Sequence, residues 1–414
     1  MHKRRVSVIL QLKRPIVGVF VTNAVIRRLN NQYYDFRGYP RIKELFKASK
    51  EAEVPVYYFS IPDFDYINKK IRGTYFDERS LTWKKRIFPL PDVLYTRRGA
   101  PGRSGMMVEF IERSLAHLNT VNINAKSFFD KWDVYDKLQQ IPAARKYLPP
   151  TRFYKDPQDL LNFLNDFDTV YLKGIRGGRG RWIFRVRKLA QGGYEYSYFV
   201  NEVTVGRVQH FRDLVRVVRR FFKKRKFVIQ AGIDLIKLED SNIDFRAELQ
   251  RDGEGKLTIL GVSARIAHKG APITIHSDAY PIEQFLREFL HYSDQQILEY
   301  KEKITRFLGI MYIALERVYG TFGEIGIDFG IDKSGEIWFI EPNSRSAKVS
   351  LMKAYDADTF YQAFLNPLKF AKYLHFNKSK SNRGERDDAT EVLYQYREDT
   401  GFNRRGKTST KKSH

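Results

Sequence analysis

The alternation of apolar and polar positions toward the end of the chain predicts a β-hairpin. Residues 324–331 (EIGIDFGI) and 336–343 (EIWFIEPN) follow the period-two pattern of strands. The segment DKSG between them is typical of a tight turn, in which Gly335 supplies the positive φ. We therefore expect two antiparallel strands whose turn lies near Ser334 and Gly335.

The hairpin carries three oxygen-bearing side chains where a buried strand favours apolar ones. With that turn, Asp328 lies opposite Glu341, and Asn343 shares a strand face with Glu341. Two such carboxylates repel each other without a counter-ion, and Mg2+ prefers carboxylate, amide and phosphate oxygens. The pattern indicates either a Mg2+ site or a solvated hairpin end. The apolar WFI of the second strand favours a covered strand and so counts against the solvated end, but the hairpin alone leaves both interpretations open.

Elsewhere the same patterns predict an α/β region followed by an α+β region. Residues 1–125 alternate strand-like and helix-like segments, beginning with the strands VSVILQL and PIVGVFV. Pro149 and Pro150 mark a joint, and a helix capped by Asp156 follows it. Further strands are indicated in VYLKG, RWIFRV, YEYSYFV, FVIQAGIDLI, FRAELQRD and KLTILGVSARIA.

A basic amphipathic helix is predicted within residues 214–227. Its apolar residues recur at helical spacing, at Leu214, Val217, Val218, Phe221 and Phe222. The formal net charge of +25 suits a polyanionic partner, but much of it lies on this helix and in a polar tail over 377–414 that is expected to be disordered. Because Phe221 and Phe222 belong to the buried stripe, base stacking has no platform here, and nucleic acid is not an expected partner.

Composition narrows the class of protein further. The 414 residues, 43% of them hydrophobic, suffice for two or three domains with real cores. The absence of cysteine excludes disulfides, thiolate metal sites and cysteine nucleophiles. The sequence contains no apolar run long enough to span a membrane, and VSVIL is too short for a signal peptide, so a cytoplasmic location is expected.

A glycine-rich segment provides a second chemical signal. Lys173 ends a predicted strand, and GIRGGRGR follows it, with glycines at Gly174, Gly177, Gly178 and Gly180. Glycines let backbone amides approach an anion closely, and the interspersed arginines add charge. Because a strand follows, the segment is either a hairpin loop that folds over phosphates or a flexible hairpin tip.

The third signal is a set of charged residues within predicted strands. Asp244 and Arg246 are two residues apart, so both side chains lie on one strand face, and Arg265 follows on the next strand. A buried Asp–Arg pair is the alternative to a binding role. These signals are more informative in their order than singly. Along the chain they run from the lysine strand and the glycine loop, through D-x-R and a further arginine, to the acidic hairpin.

These segments, in this order, resemble the ATP-grasp superfamily, and more narrowly the YheC/YheD family of endospore coat-associated proteins. The resemblance is carried across residues 80–350 by FPLPDVLYTRRG, FFDKWDVYDKLQ, YLPPTRFY, VYLKGIRGGRGRWIFRV, FVIQAGIDL, FRAELQ, ARIA and the hairpin. It implies α/β and α+β classes. A Rossmann-like preATP-grasp domain spans 1–125, a two-lobed ATP-grasp fold with a lid hairpin near 171–186 spans 126–376, and the tail spans 377–414.

The resemblance also implies roles for individual residues. Two lysines hold ATP phosphates, the loop from Gly174 to Gly180 closes over them, and a hinge strand reads the adenine. Two arginines contact phosphoryl oxygens, and three hairpin residues hold Mg2+, or Mn2+, against the phosphates. These are Lys131 and Lys173 for phosphate, Gln230, Ala231 and Ile233 for adenine, Arg246 and Arg265 for catalysis, and Asp328, Glu341 and Asn343 for metal.

The sequence departs from the superfamily pattern at the substrate end. The segment KGAPITIHSDAY after Arg265 lacks the usual Asn and paired glycines, and Thr274 and His276 are the candidates to replace them. The motif EPNSRSAK also lacks the usual proline or glycine after Asn343. The nucleotide end of the site is therefore better supported by the resemblance than the substrate end.

Two functions remain open from the sequence. The first is a carboxylate–amine or related ligase that forms an acylphosphate from ATP and an unknown carboxylate, which an unknown nucleophile then attacks. The second is a coat-associated structural or nucleotide-binding protein without turnover. Either protein is expected in the mother-cell cytoplasm or on the spore coat, with coat proteins as possible partners.

Overall fold

The structure is a computed structural model that describes residues 14–98, 103–177, 182–200, 202–238, 241–266 and 278–381. The predicted strand VSVILQL, Thr274, His276 and most of the 377–414 segment lie outside the described residues. Three sheets account for the architecture, and helices cover them. Among the described residues, no helix has the length and apolar character needed to cross a membrane.

The first unit is a seven-stranded mixed sheet with helices on both faces. Its strands are β1 Val17–Phe20, β2 Val56–Phe59, β3 Phe64–Asp65, β4 Lys70–Asp77, β5 Thr82–Phe88, β6 Val93–Thr96 and β7 Val121–Asn122. Its helices are α1 Asn23–Asn30, α2 Tyr39–Glu51 and α3 Arg103–His117. The order is β3-β4-β2-β1-β6-β7, with β5 paired to β4, and β2, β1, β6 and β7 run parallel. Apolar residues of α1 and α2 cover one face of this sheet, and those of α3 cover the other.

The second unit is a six-stranded antiparallel sheet in the order β12-β11-β10-β9-β13-β8. Its strands are β8 Thr151–Phe153, β9 Thr169–Gly174, β10 Ile183–Lys188, β11 Tyr194–Phe199, β12 Val203–Val208 and β13 Phe227–Ala231. The helices α4 Lys131–Leu138 and α5 Pro142–Arg145 precede this sheet in the chain but pack in the core of the third unit, and the helices of the second unit are α6 Pro157–Asp166 and α7 Phe211–Phe222. The predicted cap of α6 is confirmed, because the Asp156 carboxylate accepts from the amide of Gln158 at 2.8 Å. The predicted apolar stripe of α7 faces the core of this unit, where Leu214, Val218 and Phe222 are buried and Val217 and Phe221 are partly buried.

The third unit is a six-stranded antiparallel sheet in the order β17-β16-β15-β18-β19, with β14 paired to β15. Its strands are β14 Lys237–Leu238, β15 Ser241–Arg251, β16 Leu257–Ile266, β17 Asp278–Pro281, β18 Glu324–Ile331 and β19 Ile337–Asn343. Its helices are α8 Ile282–Gln284, which continues as a π-helical turn over Phe285–Phe289, α9 Asp294–Tyr319, α10 Val349–Ala354 and α11 Ala357–Ser381. Residues of α4, α5 and α9 pack on the sheet in one large apolar core.

The long helix α11 joins the first and third units. Ala363, Phe364 and Leu368 pack into the core of the first sheet together with residues of α2. The backbone carbonyl of Ala363 also accepts a hydrogen bond from Gln250 of β15, with an N···O distance of 2.9 Å. The first sheet is therefore completed by a segment from near the end of the chain, which brings it against the third.

Candidate functional site

The final hairpin places its three oxygen donors as the alternation predicts. Asp328 pairs with Glu341 across β18 and β19, and Gly335 in the turn has φ of +83°. The Asn343 amide nitrogen lies 3.4 Å from the Asp328 carboxylate. The three side chains thus share one end of the third sheet.

The Asp328 carboxylate lies between two arginines from the neighbouring strands. Arg246 of β15 forms a two-point ion pair with it, with Nη2 2.8 Å from Oδ2, and Arg265 of β16 lies 3.3 Å away. Burial alone would raise the pKa of Asp328, but Arg246 and then Arg265 hold that pKa below its usual value. Gly326 leaves room for this contact, because an added Cβ there would lie 3.2 Å from the Arg246 side chain. The pair weighed from the sequence, Asp244 with Arg246 on one strand, is not the one that forms, because Arg246 pairs with Asp328 and Arg265 pairs with Asp244.

The Glu341 carboxylate forms an ion pair with Lys131. Lys131 is the first residue of α4, and its amide donates to the carbonyl of Ile175 at 3.0 Å. The helix start is thereby tied to the segment after β9 as well as to the hairpin. The structure brings Lys131 of α4 and Glu341 of β19 together, 210 residues apart in the sequence.

Lys173 lies near the end of β9, an interior strand of the second sheet. Its amine donates to the side-chain oxygen of Gln230 on the adjacent strand β13, and the Gln230 amide donates to Thr151 at 2.8 Å. Burial, and then the nearby charge of Lys131, lower the pKa of Lys173 to about 8. A phosphate beside these two lysines would relieve both effects.

The glycine-rich segment connects two paired strands, as predicted. β9 and β10 run antiparallel, with Lys173 opposite Ile183. Gly177 lines the cavity and has φ of +148°, a conformation that favours glycine. Gly174 ends β9 and packs against Trp182, and it is not among the described lining residues. Gly178 and Gly180 lie outside the described residues.

One cavity of about 1410 Å3 is lined by residues of all three units, and it collects candidate residues from the second and third of them. Its lining includes, among the residues assigned from the sequence, Lys131, Lys173, Gly177, Gln230, Ala231, Ile233, Arg246, Arg265, Asp328, Glu341 and Asn343. The chain passes from the second sheet to the third along this cavity. It joins the third sheet where the Ile236 amide donates to the Ile331 carbonyl at 2.8 Å. The strand β13 and its continuation therefore form the connection between two lobes.

The first unit contributes lining residues that the sequence left unassigned. Arg37, Arg41 and Arg97 reach the cavity, as does Arg345 just after the hairpin. Arg97 belongs to the segment YTRRG, which carried the family resemblance, whereas Arg345 belongs to EPNSRSAK, which departs from the superfamily pattern after Asn343. Their position beside the cavity follows only from the way that the first unit packs against the third.

A buried charge cluster adjoins the site and was also missed. Lys348 is 1% exposed, and its amine lies 2.6 Å from the Glu324 carboxylate. Arg97 and Tyr95 of β6 contact the same carboxylate, the tyrosine hydroxyl at 2.9 Å. Burial alone would raise the pKa of Glu324, but Lys348 and then Arg97 hold it below its usual value. This cluster fastens the first unit to the third.

The oxygen donors of the hairpin fit a hard divalent cation by their chemistry. Two carboxylates and an amide, beside a space for phosphate oxygens, are the ligands that Mg2+ takes in nucleotide sites. Among the described residues, no three His, Cys, Asp or Glu side chains converge on one metal position, so phosphate oxygens would have to complete the coordination. The present counter-charges of Glu341 and Asp328 are Lys131 and the two arginines.

Comparison with known proteins defines the class and then the family. The VanG D-Ala:D-Ser ligase from Enterococcus faecalis matches with a TM-score of 0.50 at 12% identity, covering 88% of this chain and 100% of that chain. The likeness shows the shared fold, which is the ATP-grasp fold. The family model for YheC/D-like ATP-grasp domains matches residues 119–374, and the chain belongs to this family.

Two curated relatives come from Bacillus subtilis (strain 168). The endospore coat-associated protein YheD is 25% identical over 340 residues, which cover 81% of this chain and 73% of YheD. The endospore coat-associated protein YheC is 22% identical over 342 residues, which cover 81% of this chain and 93% of YheC. The family resemblance and the two-lobed fold expected from the sequence are thus confirmed.

Proposed function

We propose that the protein binds ATP and Mg2+ in the cavity between the second and third sheets and uses them to join a carboxylate to a nucleophile. The observation that carries this proposal is the convergence of Lys131, Lys173, Arg246, Arg265 and Glu341 on one cavity. Cations suited to a triphosphate and oxygen donors suited to a metal line the same space. The ATP-grasp fold and family support the same assignment.

Each candidate group then has a role in binding. Lys131 and Lys173 hold phosphate oxygens as point charges, and the backbone of Gln230, Ala231 and Ile233 contacts the adenine. Gly177 lines the cavity, and its lack of a side chain lets the backbone approach the phosphates. The two lysines lie beside each other and are partly desolvated, so their contacts with phosphate are stronger than at an exposed surface.

The residues that hold the metal are Asp328, Glu341 and Asn343. When bound, Mg2+ neutralises the triphosphate and fixes its geometry. With the metal held there, Lys131 would give up its ion pair with Glu341 and would be available to phosphate. Arg246 and Arg265 remain at Asp328 and project guanidinium groups toward the phosphoryl group that is transferred.

The chemistry requires no protein nucleophile. A substrate carboxylate oxygen attacks the γ-phosphorus of ATP, the bond to the bridging oxygen breaks, and ADP leaves with that electron pair. A nucleophile such as an amine then attacks the carbonyl carbon, phosphate leaves with the C–O bonding pair, and the amine loses a proton. Arg246 and Arg265 stabilise the charge that develops on the phosphoryl oxygens. A chain without cysteine is suited to this reaction.

The family also bears on where the protein acts. Both Bacillus subtilis relatives are named endospore coat-associated proteins. We propose the same association for this chain, with its reaction or binding taking place in the mother cell or on the coat, and with coat proteins among its partners.

The proposal is tested with the full chain, ATP and Mg2+. Mg2+-dependent ATP binding by titration is expected, followed by ADP release on addition of a pool of carboxylic acids and hydroxylamine, which traps acylphosphates as hydroxamates. Mass spectrometry identifies the acid that is converted. Binding without any hydroxamate, and without co-purifying product, would favour the coat protein without turnover. Absence of Mg2+-dependent binding would overturn the proposal.

The lowered pKa of Lys173 predicts a pH dependence of ATP binding. The amine carries its charge below about pH 8 and loses it above that value. ATP affinity should therefore be level below that pH and fall by up to about tenfold per pH unit above it. In Lys173→Arg the step should disappear, since arginine stays charged. ATP titrations across this pH range measure the step, and Lys223→Arg at the exposed end of α7 serves as the control. If the step in ATP affinity is unchanged in Lys173→Arg, Lys173 does not belong to the site.

A further inference from the structure

The wall of the cavity next to the first unit is lined by cations. We call it the basic wall: Arg37, Arg41 and Arg97 from the first unit, with Arg345 and Lys353 from the chain after the hairpin. None of the described lining residues from these two segments is acidic, whereas the acids among the lining residues belong to the second and third units. A substrate beside this wall therefore meets positive charge and no described carboxylate on that side.

Contacts between the two segments hold the basic wall in place. The Arg41 guanidinium donates to the carbonyl of Ala347 at 3.0 Å, and Arg345 donates to the carbonyl of Arg98. Each arginine is thus anchored by a backbone group of the other segment. The Arg345 contact uses one of its five guanidinium N–H groups, so others can donate to a ligand.

Arg345 differs in its charge balance from the other arginines near the hairpin. Arg97 has Glu324 as its counter-ion and Arg246 has Asp328, whereas no carboxylate lies within 4 Å of Arg345 among the described residues. Burial lowers the pKa of Arg345, and the acid that acts on it most, Glu112, accepts hydrogen bonds from other residues. Arg345 is therefore a partly buried cation that lacks a close counter-ion among the described residues, and a bound anion would supply one.

The position of Arg345 indicates which molecule carries that anionic group. Arg345 follows Asn343 by two residues, so the two backbones are at most about 7 Å apart. A group bound by Arg345 thus lies within the length of a small molecule from the place where the phosphoryl group is transferred. The planar guanidinium suits a carboxylate in a two-point contact.

We infer that the substrate of the proposed reaction is a dicarboxylate, such as an acidic amino acid or a peptide with acidic side chains. One carboxylate is phosphorylated, and Arg345, supported by the basic wall, binds the other. This inference rests on the proposed function. It adds the class of substrate and a specificity-determining residue.

The test compares matched acids and amides on the full chain. Binding of L-glutamate and L-glutamine, L-aspartate and L-asparagine, and the tripeptides of glutamate and glutamine is measured by calorimetry with ATP analogue and Mg2+ present. The acidic member of at least one pair should bind about tenfold or more tightly, because a charge-assisted contact is gained. Arg345→Gln should abolish this preference, and Arg345→Lys should retain part of it.

Arg220→Gln on the outer face of α7 provides the matched control, since it removes the same charge from an exposed position that does not line the cavity. Its acid preference should equal that of the wild type. Melting curves establish that each variant is folded. Equal binding of acid and amide in every pair, or an unchanged preference in Arg345→Gln, would overturn the inference. Titration of the same samples with Mg2+ and ATP separates this failure from failure of the proposed function. If the samples still bind Mg2+–ATP, only the substrate inference fails. If the wild type does not bind Mg2+–ATP, the proposed function itself is refuted.

Discussion

Glu341→Gln is expected to lower Mg2+-dependent ATP affinity by roughly tenfold or more while leaving the melting temperature nearly unchanged. The change keeps the shape of the side chain and removes one negative charge from the proposed metal site. It also removes the ion pair with Lys131, which is then free to bind phosphate. Binding measured in EDTA should therefore be retained or improve, because repulsion of the triphosphate falls. ATP titrations with Mg2+ and with EDTA measure both effects.

Glu336→Gln on the same hairpin serves as the control. Glu336 is exposed and pairs with Lys303 at 2.9 Å, so the substitution removes an equal charge outside the cavity. ATP affinity should be unaffected under both conditions. A purely structural role for Glu341 would produce the reverse pattern, a lowered melting temperature with the same Mg2+ dependence as wild type, and that result would eliminate the metal assignment.

Glu324→Gln is expected to cost about 3–5 kcal/mol of unfolding free energy, the usual cost of removing one partner of a buried ion pair. Lys348 and Arg97 both rely on this carboxylate, and Lys348 is 1% exposed, so solvent does not replace the lost charge. Denaturant unfolding measures the change. Glu254→Gln, whose ion pair with Lys256 lies at the surface, should differ from wild type by less than about 1 kcal/mol.

The same substitution should change how stability depends on pH. The folded-state pKa of Glu324 lies below its unfolded value, so the charged cluster contributes stability above the unfolded pKa, and this contribution is lost as pH falls through the folded pKa. Wild-type protein should lose this stability in acid, and Glu324→Gln should lack that part of the decline. Parallel acid limbs in the two proteins would contradict the assigned role.

Local patterns in the sequence were enough for several parts of the site. The alternation around DKSG predicted that Asp328 pairs with Glu341, and the structure has that register. Helical spacing predicted the buried stripe of α7, and Asp156 caps α6 as expected. Such features depend on residues close in sequence, where strand and helix periods leave few alternatives.

The partners of the charged residues were decided by the tertiary structure. Lys131 meets Glu341 across 210 positions, and Arg97 meets Glu324 across 227. No periodicity relates residues so far apart, because their contact depends on how whole sheets pack. The basic wall exists for the same reason, since its arginines come from two segments that α11 brings together.

The sequence by itself therefore determined the strands that carry the site residues, the hairpin register and the kinds of side chain that the site contains. The tertiary structure decided which charges neutralise one another, and that Arg345 has no carboxylate within 4 Å among the described residues while it lines the cavity. The physical reason is that strand formation follows local geometry, whereas the cost of burying a charge depends on every group around it, wherever that group stands in the chain.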